Sequence, residues 1–432
     1  MDITLRPARI CGTIDIPGSK SHTIRALLIA LFANGTSTLR NALDSKDTQT
    51  CIELCRSLGA QVKWRSNGAE PPVLMVDSTQ VASQAKAKAE KGIRTVIDCA
   101  NSGTTLYLAA PMCAALEGME IVFTGDGQLS KRPAAPLLES LSELGATMEP
   151  QDAKGTPFML KGPLEGGLTS IECRTSQYLS GLLLATPMAK RDTTVEVPLL
   201  NEKPYIMMTQ FWLDKQKIDY TCDDGLSVFR IKGNQRYKPF DEAIGGDYSS
   251  ATFFFCAAAM VGGEITVNGL EENDPQGDKR ILDVLCSMGC QVTWNGSSVT
   301  LKGPKRLKAC DFDLNDIPDA LPALSVASCF ADGPVRLYNV KQARLKETDR
   351  ISTMARCIAA LGGKVQELED GLVVHPVERF EARRIDGCDD HRIAMAMALA
   401  SLRSAESLTI EGADTVRTTF PTFFELLAKA SV

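Results

Sequence analysis

Apolar helices recur along the chain, each opened by a small polar cluster. Six stretches share one plan: a short strand ending in small polar residues, a helix apolar on nearly all sides, a turn, and a second strand. They run from Ile16 to Leu39, Asp98 to Phe123, Cys173 to Val197, Gly245 to Val267, Leu314 to Leu337 and Gly387 to Ile410. A helix that is apolar all round belongs in a core rather than on a surface. A second, more amphipathic helix follows at Asp47–Leu58, Ala135–Leu144, Lys279–Met288 and Thr348–Leu361. Each ends in a glycine turn and a short strand: Leu58 to Trp64, Leu144 to Pro150, Met288 to Trp294 and Leu361 to Glu367. Asp214 to Tyr220 is a degraded copy of the same ending.

The pattern predicts an α/β protein built from six strand-helix-strand-helix-strand units with a period of roughly 70–85 residues. The apolar helices lie inside and the sheets outside. Six such units exceed one core, so three per domain is the expected division. The polar, Gly- and Pro-bearing segment from Gly233 to Glu242 reads as a linker. The opening strand, Asp2 to Ile16, is extra to the first unit and is expected to complete the second domain. The expected domains are 18–236, and 1–17 with 237–432. The polar helix starts are expected to face a cleft between them. Free N–H groups at those starts would make the cleft attract anions.

Composition narrows the class. Of 432 residues, 44% are hydrophobic and 23% charged, as in a soluble globular protein. No apolar run approaches the roughly 20 residues that span a bilayer, and the start carries no signal-peptide pattern. A net charge of −6 argues against general nucleic-acid binding. The 14 cysteines form no CxxC pair and sit mostly in apolar runs, which suits buried thiols in a reducing compartment, here the cytoplasm. With three histidines, a structural metal site is not expected.

Candidate chemistry collects at the element starts. Lys20, Ser21 and Arg25 open the first apolar helix without Walker A spacing. An arginine facing an apolar interior suits a phosphate or carboxylate better than it suits a cap. Asn101-Ser102-Gly103-Thr104-Thr105 offers hydroxyls, an amide and a glycine, as either a polar-ligand nest or a plain cap. Lys131 and Arg132 precede Pro133. Thr175, Ser176 and Gln177, with Lys203 and Tyr205, offer neutral hydrogen bonds to a hydroxylated ring, or cap and turn. Asp319 opens one apolar helix, and Arg344 to Arg350 carries five charges that read as a solvated face or as a second cleft element. Asp390, His391 and Arg392 open the last apolar helix, and Arg417 precedes Phe420-Pro421. Lys20, Arg25, Arg132, Lys346, Arg350, Arg392 and Arg417 against Asp319 and Glu347 describe a site for a heavily anionic ligand set, with two carboxylates left for proton transfer.

These motifs, in this order over essentially the whole chain, resemble the 5-enolpyruvylshikimate-3-phosphate synthases, a family of enolpyruvyl transferases. The matches include PGSKSHTIR (17–25), NSGTT (101–105), KRP (131–133), TSQ (175–177), KPY (203–205), GDYSSA (246–251), QGD (276–278), IPD (317–319), LKETDR (345–350) and DHR (390–392). The resemblance implies a two-domain inverse α/β barrel that joins shikimate 3-phosphate to phosphoenolpyruvate in chorismate and aromatic amino-acid biosynthesis. It needs no metal or organic cofactor, and phosphoenolpyruvate has glyphosate as a competitor. It implies that Lys20, Ser21, Arg25, Thr175, Ser176, Gln177, Asp319 and Lys346 serve shikimate 3-phosphate. Lys20, Gly103, Arg132, Gln177, Arg350 and Arg392 would serve phosphoenolpyruvate, with Arg417 a further anion contact. Proton transfer would fall to Asp319, Glu347 and Lys20.

Four positions depart from the family pattern. Tyr107 stands for a common Arg, Glu202 for a Ser facing the substrate phosphate, Gln342 for an Asn and Thr418 for a Lys. The alternatives are the sister transferase acting on UDP-N-acetylglucosamine and a non-catalytic anion-binding relative. The sister usually carries a loop cysteine, and Gly125 to Arg132 has none. A monomer is expected, because the cleft is intramolecular.

Overall fold

The computed structural model describes residues 1–65, 72–381 and 383–432. The chain divides into two compact units, Lys20–Ile244 and Met1–Ser19 with Gly245–Val432. Each has its own hydrophobic core. No described helix is long and apolar enough to cross a membrane.

In the Lys20–Ile244 unit, the helices are α1 (Lys20–Leu31), α2 (Lys46–Ser57), α3 (Val81–Glu90), α4 (Gly103–Cys113), α5 (Ala135–Glu143), α6 (Ser176–Ala185) and α7 (Lys203–Lys215). Every residue of α4 is buried, as are nearly all of α1 and α6. The apolar sequences of these three helices leave no face for water. Three four-stranded sheets belong to the unit, and their strands alternate buried and exposed positions, for instance in Thr36–Arg40 and Thr95–Asp98. Alternation of this kind marks a sheet with one face on a core and one in water. Helix α3 lies outside the repeated pattern and was not expected.

The second unit repeats the plan with α8 (Tyr248–Val261), α9 (Ile281–Ser287), α10 (Leu321–Ser328), α11 (Arg350–Ala360), α12 (His391–Ser401) and α13 (Phe423–Ala430). Helices α10 and α12 are buried throughout, and α8 is buried from Tyr248 to Met260. Phe253, Phe254 and Phe255 of α8 are buried side by side. Each contributes about 1.5–3 kcal/mol of transfer free energy.

Each full sheet follows one rule. A first strand runs parallel to a second across a buried helix, and an antiparallel hairpin completes it. Two strands break the sequence order while keeping that rule. Cys11–Asp15, which leads toward α1, pairs parallel with Glu264–Asn268 of the second unit. Asp241–Ala243, which leads toward α8, pairs parallel with Thr36–Arg40 of the first. The segment from Gly233 to Glu242, expected as a linker, therefore ends in a strand, and 237–244 belong with Lys20–Ile244. The reason is local: the strand before α1 is used elsewhere, so the place beside Thr36–Arg40 is filled by the strand before α8. Ile3–Leu5 joins Leu408–Glu411 and Arg384–Asp386 in the last sheet.

The turns after the second helices explain the glycines. Gly59, Gly145, Gly289 and Gly362 have φ between +83° and +102°, which a Cβ makes costly. In the degraded third copy, the left-handed position is Lys217, φ +57°. A lysine can hold that angle at some cost in strain, so the turn survives without its glycine signature.

Candidate functional site

The starts of the buried helices gather the candidate residues, and each unit is taken by itself. In the Lys20–Ile244 unit, Thr104 on α4 is a meeting point. Lys20 Nζ, at the first residue of α1, donates to Thr104 Oγ1 at 3.5 Å and lies 3.3 Å from the Asp47 carboxylate on α2. Gln177 Nε2, in the first turn of α6, donates to the same hydroxyl at 3.1 Å. Arg132, after a short 3-10 turn, donates through Nη2 to Asn101 Oδ1 at 2.6 Å. A Cβ on Gly103 would stand 2.8 Å from Arg132 Nη1, so this glycine is what lets the guanidinium lie against the helix start. Lys20, Gly103, Arg132 and Gln177 thus form one polar group.

Arg25 is only 2% exposed. Its Nε donates to Thr209 Oγ1 at 2.9 Å, Nη1 to the Ser21 carbonyl, and Nη2 to Ser180 Oγ and the Tyr205 carbonyl. Burial lowers its pKa to about 10. The guanidinium thereby joins α1, α6 and α7.

Tyr107, one of the departures, also acts on this group. Its hydroxyl and that of Tyr178 both donate to the Pro133 carbonyl, and the rings meet edge to face at 5.2 Å. The pair fixes the backbone immediately after Arg132. Burial pushes the Tyr107 hydroxyl up to about 12. Thr175 caps α6, and Ser176 is buried behind it. Ser21 is half-buried at the start of α1.

In the second unit the centre is Arg350, the first residue of α11, 1% exposed. Its Nε and Nη2 donate to the two oxygens of Asp390 at 2.8 and 3.1 Å, a fork-to-fork pair. Its Nη1 donates to Asp319 Oδ1 at 2.8 Å and its Nη2 also reaches Glu347. Asp319 stands in the 3-10 turn before α10, and its other oxygen lies 2.8 Å from Arg392 Nη2. Asp319, Glu347, Arg350 and Arg392 are therefore one cluster. Burial lowers the Arg350 pKa, but the three carboxylates outweigh it and hold the guanidinium charged. Burial raises that of Asp390, and Arg350 outweighs it in turn, so Asp390 stays ionised.

Asp390 is fully buried and is the residue whose part the sequence did not disclose. It caps α12 through the Arg392 N–H, accepts from Thr348 Oγ1 and anchors Arg350. The available signal was a charge balance: a buried arginine requires a buried acid. Asp47 beside Lys20 is an acid of the same kind in the other unit. Lys346 is half-buried, just before Glu347. Arg417 is exposed in the turn Ala413–Thr418, and no contact ties it to the Arg350 cluster among the described residues. Gln342 is buried and donates to the Asn315 carbonyl at 3.2 Å.

His391 follows Asp390 and is buried too. Burial first, then Arg350 and Arg392, lower its pKa to about 3, against the pull of Glu347 and Asp390. The ring is neutral in the fold and protonates near pH 6.5 when unfolded. Its contribution to stability is complete above that value and is lost as pH falls toward 3. Urea unfolding is expected to weaken by up to about 1.4 kcal/mol per pH unit below 6.5 through this group. His391→Gln should flatten that slope, and equal slopes in the two proteins would refute the assignment.

Taken separately, the cluster of the Lys20–Ile244 unit is basic with hydroxyls, which suits an anion, and that of the second unit pairs arginines with carboxylates. Comparisons with known proteins identify the family. A family model described as EPSP synthase (3-phosphoshikimate 1-carboxyvinyltransferase) matches residues 5–427. The 3-phosphoshikimate 1-carboxyvinyltransferase of Ruminiclostridium cellulolyticum is 42% identical over 98% of this chain and 97% of its own. That of Acetivibrio thermocellus is 43% identical over 99% and 98%. The solved EPSP synthase of Acinetobacter baumannii superposes with a TM-score of 0.79 at 25% identity, over all of this chain and 98% of that one. With a match that runs almost end to end and a polar cluster at the helix starts of each unit, this chain belongs to the EPSP synthase family.

Proposed function

We propose that the family reaction runs on the two clusters described above. The reaction transfers the enolpyruvyl group of phosphoenolpyruvate to shikimate 3-phosphate in chorismate biosynthesis. In this reading the 5-hydroxyl of shikimate 3-phosphate adds to C2 of phosphoenolpyruvate while C3 takes a proton. The tetrahedral adduct then loses inorganic phosphate and a proton from the new methyl group. Lys20, Ser21, Arg25, Thr175, Ser176, Gln177, Asp319 and Lys346 hold shikimate 3-phosphate, and Arg25 also joins the helices that carry several of them. Lys20, Gly103, Arg132, Gln177, Arg350 and Arg392 serve phosphoenolpyruvate. Asp319 takes the hydroxyl proton, and Glu347 and Lys20 manage the protons at C3.

The observation that carries this reading is the seating of Asp319 and Glu347 on one buried guanidinium, with Arg392 on the second oxygen of Asp319. An arginine pair is suited to an incoming carboxylate or phosphate, and the carboxylates beside it are placed to exchange protons. When an anionic substrate draws on these guanidinium groups, the carboxylates lose part of their neutralisation and become better bases.

The test is phosphate release from phosphoenolpyruvate by the purified protein, with shikimate 3-phosphate or with UDP-N-acetylglucosamine. Release with shikimate 3-phosphate alone, inhibited by glyphosate in competition with phosphoenolpyruvate, is the expected result. Release with the nucleotide sugar alone would assign the sister reaction, and silence with both would leave a non-catalytic anion binder. We further read the protein as a cytoplasmic monomer. Fourteen unpaired thiols suit a reducing compartment, and each unit carries a core of its own.

A further inference from the structure

Glu202 is an acid at a place built for an anion. It precedes α7 with φ +58°, a left-handed backbone that glutamate adopts at a cost, and it is 1% exposed. Its Oε2 accepts from the Ser176 N–H at 3.0 Å, from Ser176 Oγ at 2.8 Å and from Thr175 Oγ1 at 3.3 Å. These donors form the N-terminus of α6, whose first turn contains no acid of its own. A carboxylate there satisfies orphan N–H groups and meets the positive end of the helix dipole. A phosphate oxygen would draw on the same donors for the same reason.

We propose that Glu202 is an affinity-setting residue: it occupies the seat of the substrate phosphate at the start of α6, and shikimate 3-phosphate binds by displacing it. The inference rests on the proposed function, which gives Thr175 and Ser176 to that substrate. Two anions cannot share these donors without repulsion, so each binding event includes moving the carboxylate away. The device also selects. Free inorganic phosphate, a product of the reaction, can only exchange one anion for another on these donors. Shikimate 3-phosphate adds the hydrogen bonds of its ring. The seat thereby stays closed to the small anion and open to the substrate.

The experiment compares wild type, Glu202→Ser and Glu202→Gln in steady-state phosphate release. In Glu202→Ser the KM for shikimate 3-phosphate is expected to fall about tenfold, the cost of displacing a charge-assisted set of hydrogen bonds. The KM for phosphoenolpyruvate should stay within about twofold, because the donors that hold Glu202 Oε2 belong to Thr175 and Ser176, neither of them a proposed ligand of phosphoenolpyruvate. Added inorganic phosphate should become an inhibitor competitive with shikimate 3-phosphate, an effect that loosened packing alone would not produce. Glu202→Gln keeps an acceptor oxygen for α6 and loses the charge. It should shift in the same direction by a smaller factor, and it carries the test should the serine variant not fold. An active wild type whose variants keep or raise the KM for shikimate 3-phosphate overturns the proposal alone. A wild type that releases no phosphate with shikimate 3-phosphate overturns the functional reading, and this inference with it.

Discussion

Replacing Asp319 by Asn is expected to lower kcat by about 10²–10⁴-fold, the usual worth of a positioned general base. Affinity should behave differently. Asp319 divides its oxygens between Arg350 and Arg392, each at 2.8 Å. Asparagine keeps the shape and one acceptor oxygen but releases negative charge from both guanidinium groups. The KM for phosphoenolpyruvate should therefore hold or fall while turnover collapses. Initial rates of phosphate release over a range of each substrate separate the two parameters. Unchanged kcat would remove Asp319 from the chemistry. A large rise in KM with kcat preserved would make it a binding residue instead.

Arg350→Ala is expected to damage stability as much as activity. The substitution leaves Asp390, fully buried, without its guanidinium, and takes one ion pair each from Asp319 and Glu347. Breaking a buried ion pair from one side costs about 3–5 kcal/mol. At roughly 2–4 °C per kcal/mol for a domain of about 200 residues, Tm should drop by about 6–20 °C. Adding Asp390→Asn to Arg350→Ala should recover part of that loss, because it removes the stranded charge. If the two substitutions simply add in thermal unfolding, the pair is not coupled and the account of Asp390 fails. Arg350→Lys should be milder in stability but still poor in turnover, since a point charge cannot serve three carboxylates in a fixed fork.

The architecture was legible because it rests on periodicity. Helices apolar all round, repeated six times, leave one arrangement in which they lie inside, and α4, α8, α10 and α12 are buried accordingly. The polar starts of those helices were legible for a related reason, since small hydroxylated residues before an apolar run stand out locally. What could not be read is what depends on partners distant in sequence. Nothing near Asp241–Ala243 says that it pairs with Thr36–Arg40. The candidate arginines look alike in sequence, yet Arg25 donates to hydroxyls of α6 and α7 while Arg350 pairs with three acids. Glu202 was legible as a departure, and only its placement against Ser176 gives the departure a physical content. Tyr107 is similar: as a substitution it looked like a lost charge, whereas in the fold it braces the backbone after Arg132.

The strand exchange has a consequence for how the protein is made. Ile3–Leu5 and Cys11–Asp15 leave the ribosome before the Lys20–Ile244 unit, but their partners, Leu408–Glu411 and Glu264–Asn268, come after it. The Lys20–Ile244 unit has all its strands once residue 244 has emerged, and it can close while synthesis continues. The first nineteen residues must wait through that event with their backbone groups unpaired. Cys11–Asp15 is exposed along most of its length even in the finished fold, and its apolar content is low. That polarity suits a strand that spends its early life without a sheet, because a more apolar one would offer a sticky edge to neighbouring chains during the wait.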